Sequence, residues 1–193
     1  MAVLTDLSQD ASDKAAESSL DLSVDERIRR AEAFKDSGNQ AFQRGEDQSA
    51  LRNWHHALLY SAGINSFASL YGSKSTEEQN IHAAEVTTAV YNNLAACYAK
   101  QQRWDRAVHA TTKALALSPK NVKALYRRAR SYLELGRTTL AAKDVDLALD
   151  LRPDDPAVRA LGERLVEAFD REERARRSDQ PDTVQAAAQE DTE

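Results

Sequence analysis

The 193-residue sequence has few of the residues that interrupt helices or cross-link chains: six glycines, four prolines and one cysteine. Aromatic residues are also scarce, at 6%. A lone cysteine, Cys97, cannot form an internal disulfide. Because Ala, Leu, Arg and Glu are abundant, helix is favoured over sheet. We therefore expect an all-α protein.

Long apolar runs and targeting signals are missing as well. No apolar run approaches the roughly 20 residues that a membrane-spanning helix needs. Residues Met1 to Asp6 lack the basic and apolar regions of a signal peptide. We expect a protein without a membrane span that resides in the cytoplasm, with the nucleus as the alternative.

The net charge of −5 is unevenly distributed. Residues 1–25 carry six acidic side chains against Lys14, and residues 178–193 carry five acidic side chains and no Lys or Arg. The part between them, 26–177, holds 25 basic and 20 acidic residues. A mildly basic body therefore lies between two acidic ends, and the overall charge is a poor guide to its partner.

Composition also divides the chain into domains. Residues 1–23 and 178–193 contain too few large apolar residues to fold, so we predict disordered acidic tails there. Residues 24–177 are predicted to form one domain. Ser23 and Glu26 have the spacing of a capping box, which predicts that the first helix starts at this point.

Residues recur at a period of 34 through the second half of the chain. The recurring pairs are Ala95 and Ala129, Tyr98 and Tyr132, Ala107 and Ala141, Ala114 and Ala148, and Pro119 and Pro153. Small residues let two helices of a pair approach closely, and a proline ends the second helix. The period and these positions resemble the tetratricopeptide repeat (TPR), a pair of antiparallel helices. This resemblance implies a right-handed TPR solenoid.

The register of the period predicts three repeats, at about 31–64, 88–121 and 122–155. Repeat one has Ala62 where the others have proline, and an insert of about 65–87 follows it. Within the insert, Ser75 and Glu78 are predicted to form a capping box that starts a lengthened helix running to about Lys100. A capping helix is predicted at about 156–174, started by Asp155 and Pro156. Its apolar residues at helical spacing are Val158, Leu161, Leu165, Val166 and Phe169.

The first helix of each repeat lines the concave side of such a solenoid, so we searched these helices for polar residues that packing does not require. The candidates are Lys35, Asn39, Asn93, Lys123 and Arg127. Lys35 and Asn39, like Lys123 and Arg127, are four residues apart and share a helix face. Three cations and two amides in one groove suit a peptide's C-terminal carboxylate and an adjacent acidic side chain.

These five residues, in their repeat positions, resemble the two-carboxylate clamp of TPR co-chaperones. The resemblance covers roughly residues 28–155 and is greatest to the tetratricopeptide repeat protein 9 family and to the TPR domains of immunophilins, without an isomerase domain. It implies a co-chaperone that binds the terminal Glu-Glu-Val-Asp of the 90-kDa and 70-kDa heat-shock chaperones. The resemblance also implies that Phe42 lines the pocket and that Arg130 adds positive charge.

Other functions find less support in the sequence. His55 and His56 are adjacent and lack the i, i+4 spacing of a metal pair, and Cys97 has no catalytic partners, so we expect neither an enzyme nor a metal or cofactor site. The mixed charges of 171–177 do not indicate nucleic-acid binding. We expect a monomer. Two alternatives stay open: a scaffold that binds an internal segment of a partner, and a groove occupied by the acidic C-terminal tail.

Overall fold

The computed structural model describes residues 22–62, 64 and 75–178. Seven helices have defined bounds within these ranges: α1 (Val24–Gln43), α2 (Asp47–Ser61), α3 (Glu77–Lys100), α4 (Trp104–Leu117), α5 (Val122–Glu134), α6 (Thr138–Leu151) and α7 (Pro156–Ser178). The predicted disordered tails, apart from their inner ends, lie outside the described residues, as do residues 65–74 of the insert.

The helices form three consecutive pairs, α1 with α2, α3 with α4 and α5 with α6, and α7 packs against the last pair. The expected all-α solenoid with a C-terminal capping helix is thus confirmed. Its lengthened third helix is confirmed too, because α3 spans 24 residues where α5 spans 13.

Small side chains sit where the helices of a pair cross. Ala95 and Ala107 in the second pair, like Ala129 and Ala141 in the third, are essentially inaccessible to solvent. In the first pair a glycine takes this place: a Cβ added to Gly38 would lie only 2.5 Å from two indole atoms of Trp54. A fully buried Trp54 therefore requires glycine at position 38.

The turns inside the three pairs share one geometry. In each, one residue has the left-handed backbone conformation: Gly45 (φ 79°), Gln102 (φ 56°) and Gly136 (φ 67°). The amide after it donates to a carbonyl five residues back, as from Glu46 to Ala41 at 2.9 Å. This is the Schellman ending of an α-helix, which satisfies carbonyls that the helix leaves unpaired.

The predicted prolines act as stops. α4 and α6 end at Leu117 and Leu151, two residues before Pro119 and Pro153. The residue just before each proline has left the helical region, with φ near −140° and ψ of 83°. Steric contact with a following proline disfavours helical backbone at that residue.

The helix starts agree only partly with the predicted caps. The Ser23 hydroxyl accepts from the amide of Glu26 at 3.2 Å, as expected, but the Glu26 carboxylate binds Arg29 and Arg30 instead of the Ser23 amide. The predicted capping box of Ser75 and Glu78 is wrong by one residue. Thr76 and Gln79 form both reciprocal bonds, at 3.2 and 2.9 Å.

The capping helix α7 starts as predicted, since the Asp155 carboxylate accepts from the amides of Ala157 and Val158. Its buried face is narrower than predicted. Val166 and Phe169 are 61% and 39% exposed, and Ala168 is buried together with Val158, Leu161 and Leu165. The buried positions follow a 3-4-3 spacing, which leaves Val166 about 100° away from the stripe.

Candidate functional site

Four of the five predicted polar residues surround two cavities that share Asn93. The first, which we call the inner pocket, has a volume of about 250 Å³ and is lined mainly by Asn39, Phe42, Trp54, Asn93, Ala96 and Arg127. The second, which we call the α3 groove, has a volume of about 920 Å³ and includes Asn92, Asn93 and Lys123 in its lining. Helices α1, α3 and α5 therefore all contribute polar groups to one surface.

An amide network holds the centre of this surface. The Asn39 carbonyl oxygen accepts from Asn93 Nδ2 at 2.7 Å and from Trp54 Nε1 at 3.2 Å. Two donors occupy that oxygen, so the group that Asn39 can offer to a ligand is its NH2. The fully buried indole of Trp54 orients this amide through its hydrogen bond. The indole in turn packs closely against Gly38, where a Cβ would collide with it.

Arg127 lies at the junction of α3 and α5, half-buried in the lining of the inner pocket. Its Nη1 makes a long hydrogen bond of 3.5 Å to Asn92 Oδ1, and Asn92 Nδ2 donates to Asn121 Oδ1 at 3.4 Å. Asn121 is also the N-cap of α5, accepting from the Ala124 amide at 3.0 Å. A chain of neutral amides thus connects the start of α5 to the guanidinium.

Arg127 has no carboxylate partner among the described residues. Burial lowers its pKa from the ordinary value, because desolvation disfavours the charged form. The adjacent Arg128, in contrast, has a carboxylate partner. It donates two hydrogen bonds of 2.7 Å to buried Asp144, so its role is structural. A guanidinium stays charged at neutral pH, so the pocket holds a positive charge that an anion could neutralise.

The two lysines occupy the edges of the site. Lys123 is exposed in the α3 groove and has no ion-pair partner in the part of the chain that the structure describes. Lys35 is half-buried one turn before Asn39 and lies 3.6 Å from the carboxylate of its neighbour Asp36. Lys35 lines neither cavity. Its role in binding stays a prediction.

The two looser candidates differ in position. Phe42 lines the inner pocket, packing on Trp54 with ring centroids 5.6 Å apart and facing the Lys100 ammonium at 5.2 Å. Arg130 is exposed, lies outside both cavities, and stacks over the Trp104 ring at 5.9 Å. The structure therefore brings Phe42, but not Arg130, together with the polar cluster.

Sequence reasoning missed three contributors: Trp54, Asn92 and Asn121. The sequence position of Trp54 is that of a packing residue of the repeat, and no sequence pattern marks its indole N–H as a hydrogen-bond donor to the site. Asn92 is only 5% exposed and comes one residue before a predicted site residue. A buried Asn within a helix needs a hydrogen-bond partner, so Asn92 carried a signal that could have been found.

The remaining candidates for chemistry are isolated. No cluster of three or more His, Cys, Asp or Glu residues that could hold a metal ion occurs in the described ranges. Cys97 is buried, and burial first, then nearby Asp47, raises its pKa to about 11. A thiol with so high a pKa is a poor nucleophile. None of the described helices is long and apolar enough to cross a bilayer.

This fold is similar to that of known tetratricopeptide-repeat structures. Residues 94–166 match the family model of the tetratricopeptide repeat. The C-terminal TPR-containing domain of a Plasmodium falciparum FK506-binding protein superposes with a TM-score of 0.71, covering 81% of this chain and 99% of that domain at 22% identity. The described residues thus have the fold of a TPR domain.

Two further similar structures were determined as peptide complexes. The second TPR domain of human RPAP3, in complex with an HSP70 peptide, has a TM-score of 0.57 at 22% identity and covers 72% of this chain and 97% of that one. The myosin chaperone UNC-45 of C. elegans, in complex with an Hsp90 peptide, has a TM-score of 0.57 at 28% identity, with 72% of this chain and 14% of that chain covered. Like the Plasmodium domain, these two structures are similar to this chain in fold.

Proposed function

We propose that this protein is a cytoplasmic TPR adaptor that captures the acidic C-terminus of heat-shock chaperones. In this proposal Lys123, Arg127 and Asn93 bind the terminal carboxylate and the adjacent acidic side chain of a Glu-Glu-Val-Asp peptide. Asn39 donates a hydrogen bond from its amide NH2, and Lys35 adds a positive charge at the edge of the site. The partly exposed ring of Phe42 faces an aliphatic side chain of the peptide, and the buried Trp54 supports that ring.

The observation that carries the proposal is the unneutralised charge of Arg127. Among the described residues, its half-buried guanidinium hydrogen-bonds to a neutral amide, and no carboxylate lines the inner pocket. Burying a charge without a partner is costly, and a bound carboxylate supplies the missing partner. A peptide C-terminus provides such a group without the loss of side-chain entropy that a long acidic residue would add.

The comparisons support the same partner class. The similar RPAP3 domain was determined with an HSP70 peptide that ends in the sequence IEEVD, and the similar chaperone UNC-45 was determined with an Hsp90 peptide. Those peptides end in carboxylates, which is the chemistry that the cations of this site favour. The proposed partner is therefore a C-terminal peptide of the 70-kDa or the 90-kDa chaperone.

Fluorescence anisotropy with labelled peptides ending in Glu-Glu-Val-Asp tests the proposal. Charge-assisted hydrogen bonds contribute roughly 1.5–3 kcal/mol each, so Arg127→Ala and Lys123→Ala should each weaken binding by about ten- to a hundredfold. Lys143→Ala is the matched control, because Lys143 is an exposed cation of α6 that lines neither cavity. If wild type does not bind, or if all three variants bind equally, the proposal is wrong.

A further inference from the structure

The first turns of α3 form one wall of the α3 groove. Helix α3 begins at Glu77, and residues of its first turns line the groove together with residues at the C-terminal ends of α4 and α6. On this wall Ile81 is 55% exposed, and Leu117 at the end of α4 is 40% exposed across from it. Two large aliphatic side chains therefore face one open groove of about 920 Å³.

The rim of the α3 groove is positively charged. Lys120, Lys123 and Arg152 line it and are exposed, and the opposing acidic residue in the lining is Glu85. Across the described part of the chain, none of these four forms an ion pair. Unpaired cations around exposed aliphatic groups are complementary to an aliphatic side chain flanked by carboxylates.

The groove is continuous with the proposed peptide site. Asn93 lines both cavities, and Lys123 belongs to both the groove and the proposed clamp. A protein whose C-terminus occupies the clamp is therefore tethered next to the groove. Tethering makes a second contact intramolecular, so a weak second contact can raise the overall affinity substantially.

We propose that the α3 groove is a second docking surface for the same partner. It binds an acidic, aliphatic-bearing segment of the chaperone that lies outside the C-terminal peptide. This inference rests on the proposed function, because the clamp supplies the tether. It assigns a binding role to Ile81, Leu117, Lys120 and Arg152, none of which belongs to the clamp.

The test compares the affinity of the full-length chaperone with that of its own C-terminal peptide, for both the 70-kDa and the 90-kDa chaperone. The whole chaperone should bind wild type about tenfold or more tightly than the peptide does. Ile81→Gln, and the double variant Lys120→Gln with Arg152→Gln, should lose about threefold or more of the chaperone's affinity. Neither should change the affinity of the peptide.

Matched controls separate the groove from general surface effects. Val166→Gln removes an exposed aliphatic residue of α7, and Lys143→Gln removes an exposed cation of α6; both should leave either affinity unchanged. Unchanged peptide binding also shows that each groove variant is folded.

Three results would overturn the inference. The whole chaperone could bind wild type no more tightly than its peptide does. The groove variants could bind the chaperone as tightly as wild type does. The groove variants could also lose affinity for the peptide by the same factor as for the chaperone. If neither the chaperone nor its peptide binds wild type, the proposed function is wrong, and the inference that depends on it is wrong as well.

Discussion

The backbone conformation of Gln102, in the turn between α3 and α4, leads to a quantitative prediction about the free energy of unfolding. Gln102 has a left-handed backbone (φ 56°) where the equivalent turns have Gly45 and Gly136. That conformation costs a non-glycine residue about 1–2 kcal/mol, and the extra unfolded-state freedom of glycine offsets roughly 0.5–1 kcal/mol of this. Because Gln102 is exposed, truncating its side chain loses little packing. Gln102→Gly should raise the free energy of unfolding by about 0.5–1 kcal/mol.

Urea denaturation followed by far-UV circular dichroism measures this change. The midpoint should rise with an unchanged m-value, and the melting temperature should increase by about 1–4 °C for a domain of this size. The reciprocal variants Gly45→Gln and Gly136→Gln should destabilise by about 0.5–1 kcal/mol. An added Cβ at either glycine would meet no atom within 4 Å, so backbone conformation alone causes the loss. If all three variants match wild type, the argument from left-handed strain is refuted.

Three other variants or treatments test the site and the core. Asn92→Asp places a carboxylate beside Arg127, so we expect peptide affinity measured by anisotropy to fall about tenfold or more; unchanged affinity would contradict the role of Arg127. Gly38→Ala should cost about 1–3 kcal/mol in urea denaturation, because its Cβ would overlap the Trp54 indole, and a change near zero would refute this packing. Cys97, with a pKa of about 11, should resist iodoacetamide at pH 8 until urea unfolds the protein, as mass spectrometry can show. Rapid modification of the native state would count against its burial.

Much of the fold followed from the 34-residue period, for a physical reason. Helices can cross closely only at small side chains, so Ala95 and Ala129 had to recur at equivalent crossings, and both are fully buried. The prolines at 119 and 153 stop helices that would otherwise continue. These constraints act on single residues within one helix pair, and they are therefore visible in the sequence.

Other features depend on choices between nearly equal local alternatives. Ser75 with Glu78 and Thr76 with Gln79 both satisfy the capping-box pattern, and the structure uses the second pair. Contacts outside the capping box distinguish them: the Ser75 hydroxyl donates to Asn80 Oδ1 and Gln79 Nε2 donates to Asp25 of α1, both at 2.7 Å. Tertiary packing likewise buries Ala168 in α7 instead of Val166 or Phe169, although the latter two are the more hydrophobic.

For the candidate site, the residues that meet at one pocket were predictable from the sequence, whereas the hydrogen bonds that orient them were not. The spacing of Lys123 and Arg127 on one helix, and the repeat period, were enough to place Asn93 and Arg127 at one pocket. The bonds that orient them were not, because Trp54 reaches Asn39 across 15 residues and Asn92 reaches Asn121 across 29. Such contacts depend on how whole helices stack, which no local pattern specifies.

The central claim is that the polar residues around the inner pocket and Lys123 recognise a C-terminal carboxylate. One comparison tests it most directly. The affinity of the protein for a peptide ending in Glu-Glu-Val-Asp is measured with a free C-terminus and with an amidated one. Amidation removes one of the two carboxylates that Arg127, Lys123 and Asn93 would bind, so affinity should fall about tenfold or more for wild type and much less for Arg127→Ala. Equal binding of the two peptides to wild type would contradict the account and favour recognition of an internal segment.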